Sequence, residues 1–185
     1  MRLFRSSDTL DLLLSTSTTR CHARNERVAT CTRSLRGGTS QQAPRVHLRQ
    51  RVSFEFWVPN HERIVYAIHG GPMSGRSNYQ TAYYQCIRPD LWQISWLEET
   101  GTVVSMALDL TAKRVTTFMS FSWGHWNRAE EAHGYKRDKL EKWRELAVDK
   151  PEPRQRYQLP EQATIDKIYE GKGSLQDIEM DWPTL

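Results

Sequence analysis

Between Ser53 and Trp123 apolar residues recur at every second position in one short run after another, and each run ends at a turn signal. Phe54, Phe56 and Val58 lead into Pro59-Asn60-His61, Ile64, Tyr66 and Ile68 into Gly70-Gly71-Pro72, and the run from Tyr79 to Ile87 into Arg88-Pro89-Asp90. Trp92, Ile94 and Trp96 precede Gly101; Val104, Met106, Leu108 and Leu110 precede Thr111-Ala112-Lys113; Val115, Thr117, Met119, Phe121 and Trp123 close the series. A period of two sends successive side chains to opposite faces of a strand, and connections this short join antiparallel neighbours. Six strands of this kind predict a mainly β fold, an antiparallel meander that closes into a barrel or doubles into a sandwich.

The period then changes. From Ala129 to Val148 the chain is rich in Glu, Lys and Arg, with Leu140, Trp143, Leu146 and Ala147 at helical spacing and Asp138 as the N-cap, which predicts a helix laid on the barrel. Lys150-Pro151-Glu152-Pro153 ends it, and Ala163 to Tyr169 reads as one further strand. Residues 53–185 thus form one β-barrel domain with a C-terminal α-helix. Residues 1–52 have no sustained period and neither Tyr nor Trp, so this atypical Arg- and Ser-rich segment reads as a disordered tail, an organelle leader or a mis-predicted stretch of coding sequence.

Charge separates the same two parts. Residues 1–52 hold ten Arg, no Lys and only Asp8, Asp11 and Glu26, a balance of +7 that leaves −3 for the rest of a chain of net charge +4. A basic pI confined to a segment with no aromatic platform beyond Phe4 argues against a nucleic-acid partner. No run of eighteen apolar residues argues against a membrane helix. Cys21, Cys31 and Cys86 lack C-x-x-C spacing and are odd in number, which disfavours a disulfide framework and a zinc site and points to a reducing, cytoplasmic setting. His69, His125 and His133 have no partners at ligand spacing, so no metal is expected; His69, beside two glycines, reads as a hydrogen-bonded turn residue.

One residue breaks the pattern of its own run. Trp92, Ile94, Trp96 and Glu98 share one face of a strand and Gln93, Ser95 and Leu97 the other, so a carboxylate continues a row of large apolar side chains. Burying it ionised and alone costs on the order of several kcal/mol, so such a site pairs it with a cation or holds it partly protonated. The plainer alternative ends the strand at Leu97 and lets Glu98 open a solvated turn with Glu99, Thr100 and Gly101.

Two segments in this order, Ile68-His69-Gly70-Gly71-Pro72-Met73-Ser74-Gly75-Arg76 and Ile94-Ser95-Trp96-Leu97-Glu98-Glu99-Thr100-Gly101-Thr102, resemble the IHGG-x-x-x-GR and ISW-x-E-x-TGT motifs of the phenolic acid decarboxylases. Ala107-Leu108-Asp109, Phe121 and Trp126 extend the likeness over residues 54 to 126. The resemblance implies a lipocalin-like β-barrel and a homodimer. It also implies cofactor-free, non-oxidative decarboxylation of p-hydroxycinnamic acids (p-coumaric, ferulic, caffeic) to 4-vinylphenols, through a quinone-methide-like intermediate. In it Arg76 and Glu98 are the catalytic pair, Glu98 as general acid, and Met73, Trp96, Thr102, Phe121 and Trp123 form the slot for the aromatic ring. A catalytically silent calycin-like protein that binds small aromatic ligands is the alternative.

The chain departs from the family pattern at one place. The family carries Tyr-x-Tyr-Asp-Asn-Gly-Trp on the strand before Phe54, and its tyrosines grip the substrate; here that place reads Val46-His47-Leu48-Arg49-Gln50-Arg51-Val52. The nucleotides G TAC ACC TAC GAC AAC GGG T encode the observed residues, and one base over they read Tyr-Thr-Tyr-Asp-Asn-Gly. A barrel that lacked this strand would present an open edge of unpaired backbone groups.

Overall fold

A computed structural model of the protein describes residues 53–149 and 155–185, together with the backbone of residues 42–48. Residues 1–41, with the tail and leader readings made for them, lie outside the described residues, as do 49–52 and the Pro-containing stretch 150–154.

Nine strands are described: β1 Gln42–Leu48, β2 Ser53–Trp57, β3 Arg63–Ile68, β4 Arg76–Arg88, β5 Leu91–Leu97, β6 Val103–Asp109, β7 Arg114–Ser122, β8 Gly134–Tyr135 and β9 Arg156–Glu170. The meander runs from β2 to β7 with each strand antiparallel to the next, β9 returns beside β7, and β1 fills the gap between β9 and β2. Eight strands therefore close a lipocalin-like barrel. The ring begins ten residues or more before the Ser53 boundary read from sequence, and the open edge expected there is occupied. Main-chain pairing accounts for this, since alternate residues of the strand need only present their N–H and C=O to β2 on one side and to β9 on the other.

Phe56, Tyr66, Trp92, Ile94, Trp96, Met106, Leu108, Val115 and Ile165 fill the interior, as the alternation requires. The outer faces of β2, β3 and β4 are buried too. Trp57, Val65 and Tyr79 pack there against Leu175, Ile178 and Trp182 of the C-terminal tail. Cys86 is half-buried on β4.

The helical region differs from expectation. In place of one helix over Ala129 to Val148 there are α1 (Trp123–Asn127), a 3-10 turn (Ala129–Ala132), the short β8, and α2 (Lys136–Ala147), whose N-cap is Tyr135; Asp138 lies in its first turn. Gly134 is the reason. Its φ is +99° and its N–H is bonded to Gly75 O at 2.8 Å, so it cannot continue a helix. The sequence reading also carried β7 through Trp123, but Ser122 ends it by accepting the His125 N–H as N-cap of α1. Strand β9 begins at Arg156, seven residues before the expected Ala163, because the polar, Pro160-containing Arg156–Gln162 stretch pairs with β7 along its whole length.

Candidate active site

Strand β5 ends at Leu97, as the plainer reading of this stretch had it, but the turn that follows is not solvated. Glu98, Glu99, Thr100 and Thr102 are all buried. Gly101 N–H bonds Glu98 O at 2.8 Å, and Glu98 N–H bonds Thr102 O at 2.9 Å. Helix α2 covers the turn closely: a Cβ on Gly101, whose φ is +75°, would stand 3.2 Å from Ala147 Cβ. Ser122 Oγ lies 2.6 Å from Thr100 O and ties the turn to α1.

Four donors from three parts of the chain converge on the Glu98 carboxylate. Oε1 accepts from the Tyr66 hydroxyl on β3 and from Trp96 Nε1 at 3.1 Å; Oε2 accepts from Arg76 Nη1 at 2.7 Å and from Thr100 Oγ1 at 3.3 Å. Asn78 Nδ2 donates to the Tyr66 oxygen at 2.9 Å. Arg76 is 2% and Glu98 4% exposed, and the Arg76 guanidinium lies 4.2 Å over the Trp143 ring of α2. Arg76 Nε and Nη2 have no acceptor among the described residues.

Electrostatics follow from this burial. Desolvation and the Glu98 charge push the Tyr66 phenol well above its ordinary pKa, so it stays a neutral donor. Desolvation works against the Arg76 charge, but Glu98 and its neighbours more than restore it, so the guanidinium is held above its usual value. Burial, reinforced by Arg76, drives His125 well below the ordinary histidine range. The unfolded chain therefore binds a proton at His125 that the fold refuses. The resulting stability is complete above the unfolded pKa near ~6.5 and is lost as pH falls below it, with a limiting slope of about 1.4 kcal/mol per pH unit. Urea unfolding at pH 7 and pH 5.5 is expected to show this loss, and His125→Gln to remove its share of it.

The pair sits in the wall of an otherwise apolar cavity of about 790 Å3 of empty space, mouth included. Phe54, Phe56, Ile68, Val104, Met106, Met119 and Leu159 supply its apolar lining, and Pro72 and the loop residue Met73 also line it. Of the residues read from sequence, Arg76, Glu98, Met73, Trp96, Thr102 and Phe121 meet here; Trp123 does not line the cavity, and Trp126, three residues further along α1, does. Trp123, a slot residue implied by the resemblance, instead opens α1. Sequence reading missed Tyr66 and His125. Tyr66 stood in an inward apolar row where its hydroxyl needed a buried partner, and the Ser122-x-x-His125 spacing marked a helix start that would have carried His125 inward. His69 is the hydrogen-bonded turn residue expected, its N–H on Ser53 O at 2.6 Å and its Nε2 3.3 Å from Glu55.

A second buried ion pair adjoins the first. Lys136 Nζ contacts Glu99 Oε1, whose other oxygen accepts from Gln80 Nε2. Among the described residues, no three of His, Cys, Asp and Glu converge as a metal-binding set, and no helix is long and apolar enough to cross a membrane.

Among solved structures, the chain is similar to a Burkholderia vietnamiensis protein provisionally described as a beta-lactamase, at 14% identity and a TM-score of 0.44, over 71% of this chain and 93% of that one. No curated protein sequence matches. The family model for phenolic acid decarboxylase matches residues 47–178, well over half of the chain, and both ends of the buried Arg76–Glu98 pair fall inside that span: the chain belongs to the phenolic acid decarboxylase family.

Proposed function

We propose that the chain converts p-hydroxycinnamic acids, such as p-coumaric, ferulic and caffeic acid, to 4-vinylphenols without a cofactor. The observation that carries this reading is a carboxylate–guanidinium pair buried in the wall of an apolar cavity, with one edge of the guanidinium unpartnered among the described residues. Nε–H and Nη2–H lie on the same side of Arg76 and make a fork that matches a carboxylate. The fork takes the substrate carboxylate and the apolar walls take the ring.

The chemistry is then a proton transfer followed by a bond cleavage. Glu98, carrying a proton, delivers it to the alkene carbon that bears the carboxylate; the alkene pair forms the new C–H bond, and a lone pair of the para-hydroxyl, which keeps its proton, delocalises through the ring to give a protonated quinone methide. The C–C bond to the carboxylate next breaks, its electrons restore the alkene and return the ring pair to the para-oxygen, and carbon dioxide leaves. One proton is consumed for each carboxylate anion, so Glu98 regains its proton from water. Tyr66 and Trp96 hold Oε1 in place while Oε2 faces Arg76 and Thr100. A cytoplasmic homodimer is the setting we propose with this reading.

The departure on β1 gives a test. Val46 pairs with Phe54 and Ile165, and Leu48 with Ala163, so both register positions adjoin residues of the barrel interior. The tyrosines of the shifted frame fall at these two positions. The double substitution Val46→Tyr/Leu48→Tyr is expected to raise kcat/KM for p-coumarate roughly 10- to 100-fold, the value of one or two hydrogen bonds to a charged ligand. The readout is loss of p-coumarate ultraviolet absorbance with detection of vinylphenol. Soluble, folded parent and double-variant proteins that both bind p-coumarate and leave it unchanged would establish the ligand-binding alternative.

A further inference from the structure

His125 is fully buried at this site, and neither the fold nor the proton transfer gives it a task. Its Nε2 lies 3.0 Å from Arg76 Nη1, and its Nδ1 lies 2.6 Å from Thr102 Oγ1. A guanidinium only donates, so Nε2 carries a lone pair and the ring proton of the neutral imidazole is on Nδ1, directed to Thr102.

We propose that His125 is the positioning residue of Arg76, accepting one Nη1 proton while Glu98 accepts the other, so that the Nε–H and Nη2–H edge is left for the substrate carboxylate. This inference rests on the decarboxylase reading. Each restraint on the guanidinium acts on a different motion. Trp143 covers one of its faces and limits tilt; Glu98 and His125, two acceptors on a single nitrogen, limit rotation within the plane. His125 is itself anchored by Thr102, by its backbone N–H on Ser122 Oγ at 3.2 Å, and by the Phe121 ring at a centroid distance of 5.4 Å. Of its contacts, Arg76, Thr102, Ser122 and Phe121, only Arg76 carries charge. A proton donor to substrate is a poor description of a ring whose lone pair faces a cation and whose N–H is already spent.

The test uses the full chain with His125→Leu and His125→Gln, since a glutamine oxygen can take over the Nε2 acceptor position and leucine cannot. His125→Leu is expected to lower kcat/KM for p-coumarate about 10- to 100-fold, with KM raised because the fork is no longer aimed. His125→Gln is expected to restore most of that loss. Imidazole nitrogen NMR on the unsubstituted chain is expected to show His125 as the Nδ1–H tautomer at neutral pH. An Nε2–H tautomer or an imidazolium there overturns the inference whatever the activity. A glutamine variant as poor as the leucine variant, or a leucine variant with parental kinetics, overturns the positioning role. An inactive parent chain that shows the Nδ1–H tautomer sinks the decarboxylase reading and supports the His125–Arg76 pairing.

Discussion

Replacing Glu98 with glutamine is expected to reduce p-coumarate decarboxylation about 10²- to 10⁴-fold, the usual contribution of a positioned general acid. The substitution keeps the shape of the side chain and removes the transferable proton. It also disturbs the site around it. Tyr66, Trp96, Arg76 and Thr100 all donate to Glu98, so whichever way the glutamine amide turns, its NH2 meets donors. Arg76, 2% exposed, would lose the charge that compensates its burial, and breaking a buried pair from one side costs about 3–5 kcal/mol. The expected result is therefore a folded protein of lower stability with almost no turnover. Near-ultraviolet circular dichroism and vinylphenol detection on the same sample separate the two effects. A folded variant that retains more than about a tenth of parental kcat/KM would remove Glu98 from the proton transfer, since even weak general-acid catalysis is worth more than that.

Strands β2 to β7 were legible because each turns one face to a closed interior, and alternation is what such a face requires. Strand β1 was not, because Val46 and Leu48 make only a short apolar row beside Arg45 and His47, and what the barrel takes from the strand is a hydrogen-bond ladder that sequence pattern does not encode. The helix over Ala129 to Val148 failed at Gly134, a residue whose left-handed φ outweighs the charge pattern on either side. Glu98 was the most informative position and was only half read. Its place after Trp92, Ile94 and Trp96 marked it as unusual, and the turn it opens is buried by α2, which lies nearly forty residues further along the chain. Its partners Tyr66 and Arg76 stand 32 and 22 residues away in sequence, and the Arg76–His125 contact spans 49. No local window joins these residues; only ring closure and the packing of α1 and α2 bring them together.

The neighbouring pair yields an expected effect on stability as large as that of Glu98. Lys136 opens α2 and sends its Nζ into the barrel wall, to Glu99, to Tyr79 O at 3.2 Å and to the face of the Tyr79 ring at 4.3 Å. Burial pulls the lysine below its ordinary pKa, and Glu99 opposes that shift. Lys136→Met keeps the length of the side chain and leaves Glu99 buried with Gln80 as its remaining partner, so the variant is expected to lose about 3–5 kcal/mol, or on the order of 10 °C in Tm for a chain of this size. Adding Glu99→Gln should recover most of the loss, because two neutral side chains owe no desolvation, and the cycle of single and double variants isolates the coupling. Activity should fall with the single variant as well. The same helix carries Trp143, the ring under Arg76, and Ala147, which lies against the turn that holds Glu98. A Lys136→Met protein with parental urea midpoint would show that Leu146 and Trp143 hold α2 unaided; a destabilised protein whose double variant regains both midpoint and turnover would show that the Glu99–Lys136 pair fixes the helix on which the catalytic pair depends.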